Sequence, residues 1–162
     1  MAADYFLKID GIQGESTDKQ HPGEIQLESW SFGETNPASP APGGGGMGAG
    51  KVHMQDFRFV TKIDKAAPPL FLACATGKHI PSVVLTCRKA GGAPLDFLRL
   101  TFNDVLVSSY STSSSAGGET VPTEEVSLAF SKITFEYQMQ RTDGSGGGWE
   151  KSGFDLKQSR AA

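Results

Sequence analysis

The segment that most constrains the fold is 125–140, where apolar and polar residues alternate almost one by one. Successive side chains of a strand point to opposite faces of a sheet, so this period of two is typical of a half-buried β-strand. The predicted buried face of its second half consists of Ile133, Phe135, Tyr137 and Met139. Only Ser131 and Lys132 interrupt the alternation, which predicts either a tight hairpin or one strand with a bulge.

Five further segments have the composition of strands and are bounded by Gly, Pro, Asn or Asp. They are residues 5–9, 25–32, 52–63, 82–88 and 97–110. Within 25–32, strict alternation places Ile25 and Leu27 on one face but Trp30 and Phe32 on the other. We therefore expect a bulge in this segment, or cover on both of its faces.

One short helix is predicted around 68–77. Pro68 and Pro69 suit a first helical turn, the next six residues favour helix, and Gly77 stands where a C-terminal cap belongs. Its apolar content predicts burial on most sides. One helix among seven or more strands predicts a single mainly β domain over residues 1–162, a barrel or sandwich with the helix packed alongside.

Three segments rich in Gly, Ser or Pro resist this pattern: 36–50, 111–118 and 142–148. Long loops in a compact domain are usually functional or disordered. In the longest, Pro37, Pro40 and Pro42 precede four consecutive glycines, so we expect no core of its own.

Composition excludes several classes of function. The net charge is −3 and Lys and Arg are scattered among acids, which argues against binding to nucleic acid or an anionic membrane. Asp4 and Lys8 interrupt any signal peptide, and the longest apolar stretch is far shorter than the ~20 residues of a membrane span. We expect a soluble chain in which Cys74 and Cys87 are buried, reduced thiols, as in the cytoplasm.

No motif indicates catalysis, a metal or a cofactor. The segment 45–51 fits the glycines and lysine of a phosphate-binding P-loop, but Val52 stands where Ser or Thr is needed, and strand and helix do not flank it as required. His21, His53 and His79 are dispersed, without the spacing of zinc ligands. We predict a non-enzymatic building block of a larger assembly.

Two aromatic residues leave an alternative open. Trp30 and Tyr110 would be the stacking platforms of a monomeric β-sandwich that binds glycans or peptides, although burial in a β core is the commoner role of such residues. Polar sheet faces and long loops instead favour contacts between subunits.

Eight blocks in one order resemble the haemolysin-coregulated protein (Hcp) family, the tube subunits of bacterial type VI secretion systems. They are DYFLKI (4–9), GES (14–16), WSFG (30–33), GAGKV (48–52), IDK (63–65), CATGKHIP (74–81), RKAGG (88–92) and VLVSS (105–109). The resemblance implies a β-barrel of two antiparallel sheets with one short helix alongside. A hydrolase related to such tubes would need a catalytic extension, which we do not expect.

The resemblance also implies the assembly and its partners. In this family a homo-hexameric ring stacks on copies of itself into a hollow tube, surrounded by a contractile sheath and capped by a spike protein. The tube leaves the bacterial cytoplasm for the medium or a target cell without a cleaved signal peptide. Its rings hold and chaperone small effector proteins in the lumen.

Two sets of site residues follow from the resemblance. The extended loop at about 34–51 matches the family's loop that contacts the neighbouring ring. Its stacking residues are Gly43, Gly44, Gly45, Gly46, Met47, Gly48, Ala49, Gly50 and Lys51. Ser31 matches a position that faces the lumen and contacts effectors. Because ordering such a loop costs ~1–2 kcal/mol per residue, we expect weak stacking in free solution.

Overall fold

The computed structural model describes residues 2–40, 46–118 and 120–162, and in them the chain forms fourteen strands and one helix. The first eight strands are β1 (Ala3–Ile9), β2 (Ile25–Leu27), β3 (Ser29–Ser31), β4 (Glu34–Thr35), β5 (Ala38–Pro40), β6 (Met47–Ala49), β7 (His53–Met54) and β8 (Phe57–Lys62). After helix α1 (Ala67–Thr76) come β9 (Ile80–Lys89), β10 (Leu95–Ser113), β11 (Thr123–Ala129), β12 (Lys132–Gln140), β13 (Gly146–Asp155) and β14 (Arg160–Ala161).

Ten of the strands form one antiparallel sheet that folds into two layers. The first layer has the order β2, β1, β9, β10, β12, β13, β14, and the second has the order β10, β11, β8, β3. The layers share β10, which lies in the middle of the first layer and at one edge of the second. At the opposite edge of the second layer, β3 follows β2 of the first layer through Glu28. The predicted mainly β class, with antiparallel sheets and one helix, is confirmed, and the irregularity expected in 25–32 lies at Glu28.

The alternating segment is one interrupted strand and not a hairpin. Leu106 is opposite Ala129 in β11, and Asn103 is opposite Lys132 in β12, so both halves lie along β10 in the same register. At the break, the Ser131 N–H donates a hydrogen bond to the Asn103 carbonyl (3.2 Å). This selects the second of the two alternatives that the sequence left open.

The core lies between the two layers. Its centre is a cluster of aromatic rings in which Phe57 from the second layer packs on Phe102 from the first, with ring centroids 4.9 Å apart. Full burial of such side chains contributes about 1.5–3 kcal/mol each. Leu85 and Leu100 from the first layer and Leu128 from the second belong to the same buried cluster. One core therefore unites both layers.

Helix α1 has the predicted boundaries but is less buried than expected. Prolines occupy its first turn, and Gly77 ends it in the left-handed conformation, with φ of 67°. Leu70 and Ala73 face the core, whereas Phe71 and Leu72 are 59% and 58% exposed. Burial on most sides was the wrong expectation because only one side of the helix meets the sheet. No helix in the described part of the chain has the length and apolarity to span a bilayer.

The apolar face of β12 also differs from its prediction. Ile133 is buried, but Phe135, Tyr137 and Met139 are 45%, 43% and 64% exposed. The physical reason is the strand order: β12, β13 and β14 continue the first layer past β10, on the side away from β9, β1 and β2 that the second layer opposes. Strands β4 and β7 approach this face only across an open groove, so alternation does not produce burial here.

The long connection between β1 and β2 is fixed by one buried arginine. Both oxygens of Asp18 accept bonds from the Arg88 guanidinium (2.9 and 2.7 Å), and Asp4 accepts a third (3.3 Å). The guanidinium carbon lies 4.8 Å from the centre of the Phe6 ring. These hydrogen bonds lower the pKa of Asp18 from 3.8 to about 2. The connection is thereby tied to β9 and β1.

Candidate assembly surfaces

The long loop predicted at about 34–51 is largely a β-ribbon, which we term the arm (residues 34–54). β4 pairs with β7 at its base, and β5 pairs with β6 further out. The Gln55 N–H donates to the Gly33 carbonyl (2.9 Å) where the arm leaves the second layer. The side chains of β5 are exposed, so the described part of the arm is ordered by backbone pairing and not by a core of its own.

Gly50 lies at the closest approach of the two sides of the arm. Its N–H donates to the Pro37 carbonyl (2.9 Å), and a Cβ at this position would be only 2.5 Å from the same oxygen. Glycine is used where two backbones approach closely, so Gly50 is required by the pairing. At Gly46 a Cβ would meet nothing within 4 Å. The predicted stacking residues Gly43, Gly44 and Gly45 lie outside the described residues.

Ser31 belongs to a polar surface on the outside of the second layer. It is exposed on β3 and directly opposite Arg58, whose guanidinium is 3.4 Å from the Glu125 carboxylate. Opposed residues of paired strands project from the same face of a sheet. The surface, which we term the serine face, comprises Ser29, Ser31, Arg58, Val60, Ser109, Ser111 and Glu125, while Ser127 on the same side is buried. The face is mainly hydrophilic, and in its next row the 42% exposed Leu106 is opposite Ala129.

The two aromatic residues of the binding-module alternative are engaged in packing. The Trp30 ring is 6.3 Å from Tyr5 and 6.2 Å from Phe57, at the edge of the core. The Tyr110 ring is 6.3 Å from Phe71, and its hydroxyl donates to Glu124 (2.7 Å). Neither ring presents a free stacking platform, which agrees with the core role that the sequence favoured.

Glu124 is a buried acid that the sequence analysis did not identify. It is 1% exposed in β11, and burial raises its pKa, while the bond from Tyr110 acts in the opposite direction. Burial and the bonded Glu124 also raise the pKa of Tyr110. The alternation could have indicated this burial, because Glu124 falls on the same side of the strand as Val126 and Leu128, which face the core.

A groove opens between the base of the arm and the exposed face of β12 and β13. Its volume is about 560 Å³, and its apolar lining includes Phe32, Met54, Phe135 and Phe154. We term the exposed side chains beside it, Phe135, Tyr137 and Met139, the flap patch. Apolar side chains in such numbers beside an open groove are typical of an interaction surface.

The histidines and cysteines of the described residues do not come together in a metal-binding group. His21 contacts Glu24 and Asp96, and His79 contacts Asp104. No group of three His, Cys, Asp or Glu side chains with metal-binding geometry occurs in the ranges described. Cys74 and Cys87 are unpaired, as predicted, and burial raises the pKa of the Cys87 thiol to about 12. Cys74 is only partly buried, contrary to expectation.

Comparison with known proteins identifies relatives over the whole chain. The model of the family described as "Type VI secretion system effector, Hcp" matches residues 6–137. Protein hcp1 of Pseudomonas aeruginosa is 47% identical over 161 residues, covering 98% of each chain. The crystal structure of Hcp1 from Salmonella typhimurium is 40% identical with a TM-score of 0.81, and both chains are covered completely. A structure of a type six secretion system protein superimposes with a TM-score of 0.94 at 30% identity, over 99% of this chain and 100% of its own.

Proposed function

This chain belongs to the Hcp family of type VI secretion system effector and tube proteins, and from that premise we propose that it is a structural subunit of the secretion tube. Six copies form a ring, rings stack into a hollow tube, and the tube is expelled from the bacterial cytoplasm. The observation that carries this proposal is the 47% identity to protein hcp1 over nearly the whole of both chains. The contractile sheath and the spike are the further partners.

The serine face suits the inner wall of such a tube. The lumen of a tube that carries proteins needs a wall that does not bind their apolar segments tightly. Hydroxyl and charged side chains provide such a wall. Ser31 lies in the first row of this face, beside Arg58. We propose that effectors are held there by adaptable hydrogen bonds, which also allow their release.

The arm suits contacts between stacked rings. Its backbone is already paired through β4 with β7 and β5 with β6. Docking therefore requires less new ordering than the ~1–2 kcal/mol per residue that an unstructured loop would cost. Stacking in solution should accordingly be stronger than the sequence alone led us to expect.

The native mass and the shape of the purified protein test the assembly. We expect a species of six times the 17.2 kDa chain mass, and six-fold rings in electron micrographs. Specific interfaces bury ~1,200–2,000 Å² and persist at micromolar concentration. A strictly monomeric protein under these conditions would refute the proposal.

Ser31→Trp tests the lumen assignment. The variant should keep its ring mass but co-purify with less effector, because the bulky ring intrudes on the serine face. Ser114→Trp, at an exposed loop position outside that face, is the matched control. Equal effector retention in both variants would remove Ser31 from the site.

A further inference from the structure

His21 is a buried histidine whose two ring nitrogens both face carboxylates. It lies in the connection between β1 and β2 and is only 7% exposed. Its Nδ1 is 2.9 Å from an oxygen of Glu24, and its Nε2 is 3.4 Å from an oxygen of Asp96. A neutral imidazole has one N–H donor and one acceptor nitrogen, whereas an imidazolium has two N–H donors. Only the imidazolium can therefore donate to both carboxylates at once.

The two carboxylates belong to different parts of the fold. Glu24 lies in the connection itself, whereas Asp96 lies in β10, 75 positions beyond His21. The His21 ring is stacked on Phe6 of β1, with centroids 4.4 Å apart and 10° between the planes. Its backbone N–H donates to Asp18 (3.2 Å). His21 thus joins the connection to both β1 and β10.

The charged groups around His21 come from the connection and from three strands. They are Asp18 and Glu24 in the connection, Asp4 and Lys8 on β1, Arg88 on β9 and Asp96 on β10. Arg88 is already engaged by Asp18 and Asp4. Its hydrogen bond lowers the pKa of Asp18 to about 2, so this pair keeps its charges through the neutral pH range. The cation placed between Glu24 and Asp96 is His21.

We propose that His21, Glu24 and Asp96 form a proton-operated latch, which fastens the connection to the start of β10 while His21 is an imidazolium. When the proton leaves, an Nδ1–H can keep the shorter bond to Glu24. The lone pair of Nε2 then faces the Asp96 carboxylate, and this longer contact is released. Histidine changes its charge between about pH 5 and 8, so the latch closes in acid and opens as the pH rises.

Backbone amides of the connection report whether the latch is closed. The Gly14 N–H donates to the Gly23 carbonyl (2.8 Å), the Ser16 N–H to the Glu24 carbonyl (3.0 Å), and the Gly23 N–H to the Ser16 carbonyl (2.8 Å). Such amides exchange their hydrogens when the segment opens locally. After correction for the intrinsic rate, we expect their protection to fall about tenfold from about pH 5 to about pH 8. Protection in β9 should stay constant, because the opening is local.

His21→Phe tests the role of the two nitrogens. It keeps an aromatic ring to stack on Phe6 but removes both donors, so the connection should be weakly protected at either pH. His79→Phe is the matched control. The His79 side chain is 58% exposed and contacts a single carboxylate, that of Asp104, so this variant should behave as the parent does. Thermal melting verifies that both variants fold.

Asp96→Asn tests the proton dependence by restoring the latch without a charge. The new amide can donate to Nε2 of a neutral imidazole, while Nδ1–H donates to Glu24. We expect the connection of this variant to stay protected at about pH 8, where that of the parent opens. Mass spectrometry of peptides from residues 10–24 of the full chain measures the exchange.

Three results would each overturn the latch: parent protection that does not change with pH, His21→Phe protected like the parent in acid, or Asp96→Asn as dependent on pH as the parent. All groups of the latch belong to one chain. The exchange is therefore measurable whether or not rings form, and a failure of the tube assignment leaves this test unchanged.

Discussion

Replacement of Gly50 by alanine is the sharpest test of the arm. The added Cβ would lie 2.5 Å from the Pro37 carbonyl oxygen, so the two sides of the arm must move apart. Such overpacking costs typically ~1–3 kcal/mol. The separation also weakens the bond between the Gly50 N–H and that oxygen, whose net contribution is of the order of 1 kcal/mol. We expect the paired form of the arm to lose ~1–3 kcal/mol.

This loss converts directly into ring stacking. The apparent affinity of a binding surface falls with the fraction of molecules in the competent state, and ~1.4 kcal/mol corresponds to a tenfold change. If the arm is the stacking contact, Gly50→Ala should weaken stacking by about 5- to 140-fold. Sedimentation velocity and electron microscopy measure tube length, and the native mass reports the ring.

Ser39→Ala provides the control in the same arm. Ser39 is exposed on β5, and its replacement adds no atom between the two sides of the arm, so stacking should match that of the parent. Equal stacking in the two variants would refute the argument that pairing at Gly50 matters. Loss of the ring itself in Gly50→Ala would place the arm in contacts within the ring.

Three further predictions concern stability. Phe57→Ala removes a fully buried ring and should lower the free energy of unfolding by ~3–5 kcal/mol in denaturant titration; a loss below about 1 kcal/mol would contradict the assigned core. The raised pKa of Glu124 means that the folded state holds its proton more tightly, so stability falls as pH rises above 4.5. Glu124→Gln should flatten this decline in melting temperature, and an unchanged slope would count against it. The pKa of Asp18 is lowered from 3.8 to about 2, so its contribution is lost as pH falls through that interval. Asp18→Asn should therefore differ most from the parent at neutral pH and least at the acid end.

Much of the fold could be predicted because strand periodicity and helix caps are local signals. The alternation in 125–140 gave the two strands, and the misplaced phase of Trp30 gave the irregularity at Glu28. Gly77 marked the helix end because the left-handed cap requires it. These features depend on residues close together in the sequence, so they can be recognised in a single sequence.

The exposed face of β12 could not be predicted in this way. Alternation shows that Phe135, Tyr137 and Met139 share a face, but not whether another layer covers that face. Cover depends on strand order, since β12 lies beyond β10 on the side that the second layer leaves open. The pairing within the arm was missed for a different reason, because Pro and Gly are depleted in strands and mask short ribbons.

The common register of β11 and β12 along β10 limits how the chain length can vary. Leu106 with Ala129 and Asn103 with Lys132 fix the same spacing in both layers. One residue inserted between Ala129 and Lys132 would invert every side chain of β12 relative to β10 while leaving β11 unchanged, since strand faces alternate with period two. Insertions and deletions should therefore be tolerated in the segments 90–94, 114–122 and 141–145, which lie outside these paired strands. They should be selected against between β11 and β12, where the chain passes from one layer to the other.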